Sequence, residues 1–174
     1  PVVCFDSGVP DAPEGSVYAT VVTDNEQAGG IAAEHIYPAI KDRLGKGQVR
    51  VGEVNQDATS ANISERGMGF ELAKADGYTV AVVGNDFYVN QVKDNGDQAS
   101  ADIILEVAVP AQTTVELCAT EASNIMNKDD TIAMFGSNQV SAEGVLTANQ
   151  NLNKLGTDEG KIVGAGFDAG SVLK

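Results

Sequence analysis

The chain has 174 residues, 43% apolar and 21% charged, with a formal net charge of −14 and no tryptophan. That balance belongs to a globular chain of about one domain and excludes a disordered or fibrous one. So acidic a surface repels phosphate backbones, which excludes nucleic acid as an expected partner, and no apolar run approaches the roughly 18 residues that cross a bilayer.

In chain order, Pro1–Phe5 reads as a short buried strand ending at Asp6, Ser7 and Gly8. Residues 9–15 carry two prolines, two acids and a glycine, a loop composition. Ser16–Thr23 is β-branched and extended. Asp24 then suits a helix N-cap, with Gln27 three residues on, and apolar positions follow at Ala28, Ile31, Ala32, Ile36, Ile40 and Leu44. Pro38 inside that run should kink or restart the helix. Gly45–Gly47 ends it, and Gln48–Val54 is the next strand.

A helix is expected from about Ser60 to Ala75. Gly67 and Gly69 within it cost roughly 1 kcal/mol each relative to alanine, which points to close packing against the sheet. Tyr78–Val83 reads as a strand. Residues 84–100 form a polar excursion with room for one helical turn. Asp102–Val109 is a strand stopped by Pro110, and Thr113–Asn127 a helix. Thr131–Phe135 is a buried strand, followed by the small polar turn Gly136–Gln139. A helical pattern then begins, with apolar residues at Val140, Val145, Ala148, Leu152 and Leu155. Lys161–Gly166 is the last strand, ending at Phe167–Asp168.

Strand and helix alternate at least four times, which predicts an α/β fold: a parallel sheet with helices on both faces, a three-layer αβα sandwich. Such sheets bind ligands beyond the C-terminal ends of their strands. Here those ends carry Asp, Asn, Gln, Ser and Thr. Asn138 sits where a helix N-cap would sit, and its amide both donates and accepts. Asp6 and Asp168 each follow an aromatic at a strand end. Each could cap a turn or accept hydrogen bonds from ligand hydroxyls; two such acids with Asn138 on one edge favour the ligand role.

The remaining chemistry is sparse. The one histidine, His35, lies within a helix, far in sequence from any strand-end nucleophile, so no hydrolytic constellation forms and no enzyme is expected. Cys4 and Cys118 both lie in apolar settings and read as buried free thiols. Gly164–Gly170 has GxGxxxG spacing rather than that of a dinucleotide loop, and Asp94–Asp97 lacks the ordered ligands of a calcium loop. Neither a cofactor nor a metal is expected. Arg66 stands open between a surface ion pair and a fork of donors near the strand-end cleft.

Five segments in order carry a resemblance: residues 2–7 (VVCFDS), 23–29 (TDNEQAG), 65–70 (ERGMGF), 135–139 (FGSNQ) and 163–168 (VGAGFD). Together they resemble the type I periplasmic sugar-binding proteins of the ribose-binding group and the related sensor domain of LacI-type repressors. The resemblance spans nearly the whole chain. It implies one lobe of a two-lobe periplasmic-binding-protein-like fold: residues 1–22 as the end of the first lobe and the hinge crossover, and residues 23–174 as the second lobe, truncated at its C-terminal end. Beginning at Pro1 rather than Met, and with no signal peptide read in it, the chain is expected to be a processed or partial one.

By the same resemblance, Asp6, Asn138 and Asp168 correspond to residues that hydrogen-bond sugar hydroxyls. The arginine usual in these receptors falls at Ser64, so Arg66 is the candidate to take its role, as in some repressor sensors. Gln112 or Thr113 stands where an aromatic is usual. The implied function is that of an extracytoplasmic receptor, periplasmic or lipid-anchored at the cell surface. It would hand a sugar or sugar-like solute to the permease of an ABC importer. The alternative is the effector domain of a LacI-type repressor, and an α/β enzyme stands third. An exposed Pro1–Phe5 strand in an isolated lobe would also invite homo-oligomers.

Overall fold

The structure, a computed structural model, describes residues 2–9, 11–69 and 77–168. Strands Val2–Phe5 (β1) and Val17–Val21 (β2) pair in parallel as a sheet of their own. Helix Asn25–Ile40 (α1) follows, closed by a single 3-10 turn over Lys41–Arg43. Then come Val49–Val54 (β3), Ala61–Met68 (α2), Val80–Gly84 (β4), Asp86–Gln91 (α3), Ile103–Ala108 (β5), Val115–Met126 (α4), Thr131–Gly136 (β6), Gln139–Leu152 (α5) and Val163–Gly166 (β7).

The strands from β3 onward form one all-parallel sheet in the order β4-β5-β3-β6-β7. The α/β class and parallel sheet expected from the alternation are present. Alternation along each strand splits the core in two. Val49, Val51, Ile103, Leu105, Val107, Ala133 and Phe135 meet Ala33, Ile36 and Ile40 of α1 on one face. Val54 and Met134 meet Cys118, Ala122 and Ile125 of α4 and Val145 and Ala148 of α5 on the other. Since every strand runs the same way, every strand of this sheet delivers its C-terminal end, and the turn after it, to one edge.

Several sequence expectations are corrected. β1 is not buried: Phe5 is 82% exposed and Val3 60%, because among the described residues only β2 pairs with it. Cys4 is accordingly half-buried, whereas Cys118 is fully buried; both are free. Pro38 does not break α1, which runs two residues beyond it before tightening into the 3-10 turn. The second half of the expected α1 stripe, Ile36, Ile40 and Leu44, is buried; in the first half Asn25, Gly29 and Ala33 are the buried positions, and Ile31 is exposed. His35 is exposed on the same helix. For the helix expected to reach Ala75, α2 covers its first half; residues 70–76 lie outside the described residues.

The two glycines of that helix do different work. Gly67 does lie against the sheet. Gly69 does not: a side chain there would strike the Glu26 backbone, and one at Gly29 would strike the backbone of Arg66 and Gly69. Gly29 and Gly69 therefore let α1 and α2 cross at backbone contact, which fixes α2 against the start of α1.

Candidate ligand-binding site

The β6–α5 turn is the centre of the edge. Asn138 is the N-cap of α5. Its Oδ1 accepts from the Ser141 backbone N–H (3.1 Å) and Oγ (2.6 Å), and Ser141 Oγ in turn accepts from the Asn138 backbone N–H (3.0 Å), a reciprocal capping box. Asn138 is buried, and its Nδ2 donates to Gln56 Oε1 on the turn after β3. Gln56 also donates from Nε2 to Asp57 Oδ2 (3.1 Å), and its backbone carbonyl accepts from Thr113 Oγ1 (3.2 Å) after β5. The turns after three neighbouring strands are thus linked through one glutamine. The residue is half-buried.

Asp57 shapes the β3–α2 turn. Burial pushes its carboxyl up, but hydrogen bonds from the Ser60 and Thr59 backbone N–H groups (2.7 and 2.9 Å) outweigh that and hold it below the usual range. This Asx turn caps the entry to α2 in place of the N-cap Ser60, whose own side chain makes no capping bond.

Arg66 is buried, which corrects the surface ion-pair reading. Its guanidinium donates to the Ser137 carbonyl (2.7 Å) and to Asn25 Oδ1 (2.7 Å), and its Cζ sits over the Phe167 ring, 3.6 Å from the centroid. It ties α2, the start of α1, the β6–α5 turn and the end of β7 together. Burial lowers its pKa; the charges of Asp168 and Asp6 oppose that, and it stays a cation. Its Nε has no hydrogen-bond partner among the described residues.

The two candidate carboxylates share a backbone signature. Asp168 (φ 79°) and Asp6 (φ 68°) are both left-handed, a region L residues seldom adopt and one that clusters at functional sites. Asp168 follows the β7 end, is exposed, and accepts from the Gln139 backbone N–H at 3.2 Å. Asp6 follows β1, is also exposed, and lines a cavity of about 290 Å³ with Asn25, Asn62 and Glu65.

Of the sequence-named residues, Asn138 and Asp168 meet at the start of α5, with Arg66 beneath them and Thr113 tied in through Gln56. Gln112 is exposed on the same β5–α4 turn. Ser64 is buried beside the Tyr88 hydroxyl. Two residues along a helix are about 200° apart, so Ser64 and Arg66 face different ways. Sequence reasoning passed over Gln56 and Asn25. Gln56 carried a usable signal, a long amide directly after a buried strand; Asn25 read only as the first residue of a helix.

A parallel sheet covered on both faces, polar side chains gathered at its C-terminal edge, and a separate ribbon on the side of Asp6 define one lobe of a periplasmic-binding-protein fold. The chain belongs to that family: the model of the periplasmic binding protein domain matches residues 1–173. Among solved structures it is similar to a protein of Brachyspira murdochii described as an ABC transporter, LacI family transcriptional regulator. Identity is 26% and TM-score 0.71, over 99% of this chain and 53% of that one. It is also similar to GanP of Geobacillus stearothermophilus, a glucose-galactose binding protein, at 26% identity and TM-score 0.62, over 97% and 48%. An ABC transporter solute-binding protein of Agrobacterium vitis, solved with D-fucose, shares the fold at 22% identity and TM-score 0.68, over 99% and 49%. The chain therefore spans about half the length of the solved proteins it matches. A comparison with curated proteins gave no match.

Proposed function

We propose that this chain forms one wall of the sugar cleft of an extracytoplasmic solute-binding receptor serving an ABC importer. The observation that carries the reading is the edge itself: Gln56, Asn138 and Asp168, from three strand ends, converge above a buried arginine. Acceptors and amides held at fixed positions match vicinal hydroxyls, and Asp168 accepts with the extra strength of a charged group. Among the solved relatives are solute-binding proteins, and those named for a sugar include the D-fucose and glucose-galactose binders. The division of labour follows: residues 1–22 act as hinge and the foot of the opposite wall, and residues 23–174 as the closing lobe, with Asp6 reaching the ligand from the hinge side. Gln112 and Thr113 flank the ring. Arg66 acts from below, holding Asp168 and the β6–α5 turn in place. No step of bond-making is required of any of these groups, and closure of two lobes on the ligand is the signal to the permease.

The repressor alternative uses the same lobe and has one supporting observation, the LacI description of the Brachyspira protein. Calorimetry of the full-length protein against pentoses and hexoses, D-arabinose and D-fucose among them, tests the main reading. One sugar should bind with micromolar affinity or better. No binding across the panel would contradict it.

A further inference from the structure

Glu53 lies on β3, the middle strand of the sheet, and faces the α1–α2 side with Val49 and Val51. It is fully buried. Among the described residues, neither its carboxyl oxygens nor either carboxamide atom of Asn55, equally buried, has a hydrogen-bond partner. Glu53 Oε1 and Asn55 Nδ2 converge on α2 at one point. A Cβ built on Gly67 would stand 2.6 Å from Glu53 Oε1, 2.7 Å from Asn55 Nδ2 and 3.0 Å from Tyr88 Cε1. A carboxylate in such a place has nothing to balance its charge, whereas the neutral acid has an O–H to give and needs no counterion.

The surroundings bear this out. On β5 and β6 the residues in register with Glu53 are Val107 and Phe135. From α2 come Ser64 and Gly67. From α3 comes Tyr88, whose phenol is itself pushed far up by burial and by the nearness of Glu53 and Asp57. Asp57, on the turn, already accepts from Ser60 and Thr59. The nearby cation on α2, Arg66, has Asp168 and Asp6 as its electrostatic partners. Burial accordingly raises the Glu53 carboxyl to about 8; the neighbouring Asn55 amide, close by but outside hydrogen-bonding geometry, tempers the rise only in part.

The point of convergence abuts the ligand edge through single covalent steps. Gly67 is next to Arg66, which holds Ser137 and Phe167; Asn55 is next to Gln56, which holds Asn138. A charge on Glu53 would draw water between β3 and α2 and shift both. We propose that Glu53 is a positioning residue: its proton lets α2 seat on β3 and holds Gln56 and Arg66 at the ligand edge, so ligand affinity falls when that proton leaves. The link to affinity rests on the sugar-receptor reading; the link from proton to edge does not.

The test has two arms on the full-length protein. Carbon-detected NMR follows the Glu53 carboxyl from pH 5 to 9.5, while the side-chain amide signals of Gln56 and Asn138 are followed in the wild type and in Glu53→Gln. The carboxyl should titrate above pH 7, and the wild-type amides should move with the same midpoint but stay still in Glu53→Gln. Titration in the ordinary carboxylate range, or equal amide shifts in both proteins, would overturn the proposal. In the second arm, D-fucose and D-arabinose are titrated by calorimetry across the same pH range. Wild-type affinity should fall by up to about tenfold per pH unit above the midpoint, as the binding-competent fraction falls. Glu53→Gln, and Glu53→Leu as a second neutral variant, should stay flat. A pH dependence as steep in the neutral variants as in the wild type would overturn the link to affinity. If neither sugar binds at any pH, the arm is run with whichever pentose or hexose of the wider panel binds; if none does, the sugar reading falls and the NMR arm still decides the proton.

Discussion

Asn138 and Asp168 sit 30 residues apart in sequence and on the same helix start, yet the structure loads them differently. Both oxygen and nitrogen of the Asn138 amide are engaged inside the protein, by Ser141 and Gln56. Asp168 is exposed and has one backbone partner at 3.2 Å. Asn138→Ala should therefore destabilise the fold by about 1–2 kcal/mol, the value of a lost N-cap, as read by thermal melting. Asp168→Ala should leave the melting temperature nearly unchanged and weaken sugar binding by about tenfold or more, the loss of one charge-assisted acceptor. The reverse pattern would make Asp168 the structural residue. Glu53 gives a third handle. Its folded value, about 8, lies above its ordinary 4.5, so between those limits the folded state keeps a proton that the unfolded chain has lost. Stability should thus fall as pH rises through that window, by at most about 1.4 kcal/mol per unit. Melting curves of Glu53→Gln should not show this slope.

Among the elements, the α1–α2 crossing is the joint that sets the site, because it places Arg66 under the strand ends. Gly29 and Gly69 meet there with no room for a side chain. Gly69→Ala should force the helices apart and cost roughly 1–3 kcal/mol, as overpacking does, with a matching loss in denaturant midpoint. A variant as stable as the wild type would show that the joint gives way easily. The elements themselves were largely legible in the sequence, because period-2 and period-3.6 apolar patterns are local: β3, β5, β6, α4 and α5 lie within a few residues of where the pattern puts them. The joint was not legible. A glycine looks the same whether it meets a sheet or another helix, so Gly69 was assigned the wrong neighbour. Buried polar residues were equally hidden. Glu53 and Asn55 continue a strand and its turn in composition, and only the packing of Gly67 and Tyr88 over them shows that they are enclosed. Of the edge itself, Asn138 and Asp168 could be named from strand ends, whereas Gln56 needed three dimensions to appear as the link among three turns.

For the molecule as a whole, the two-stranded ribbon is the exception to a well-covered fold. Val2, Val3, Phe5, Tyr18 and Val21 are all more than half exposed, on a parallel pair with open edges. Such an edge pairs with whatever strand is available. The 174-residue chain on its own should self-associate in sedimentation experiments, and Phe5→Lys should shift it toward monomer; a wild type monomeric at every concentration would mean that the ribbon is covered within one copy. On the proposed reading, the cover is the other lobe of a two-lobed receptor, which would also supply the facing wall of the cleft. The most direct test of that account is a crystal structure of the full-length protein with the sugar that calorimetry selects. The ring should lie against the ends of β3, β6 and β7, with a hydroxyl within hydrogen-bond distance of the Asp168 carboxylate and Arg66 still seated on Phe167. A sugar bound away from this edge, with Asp168 turned to solvent, would contradict it.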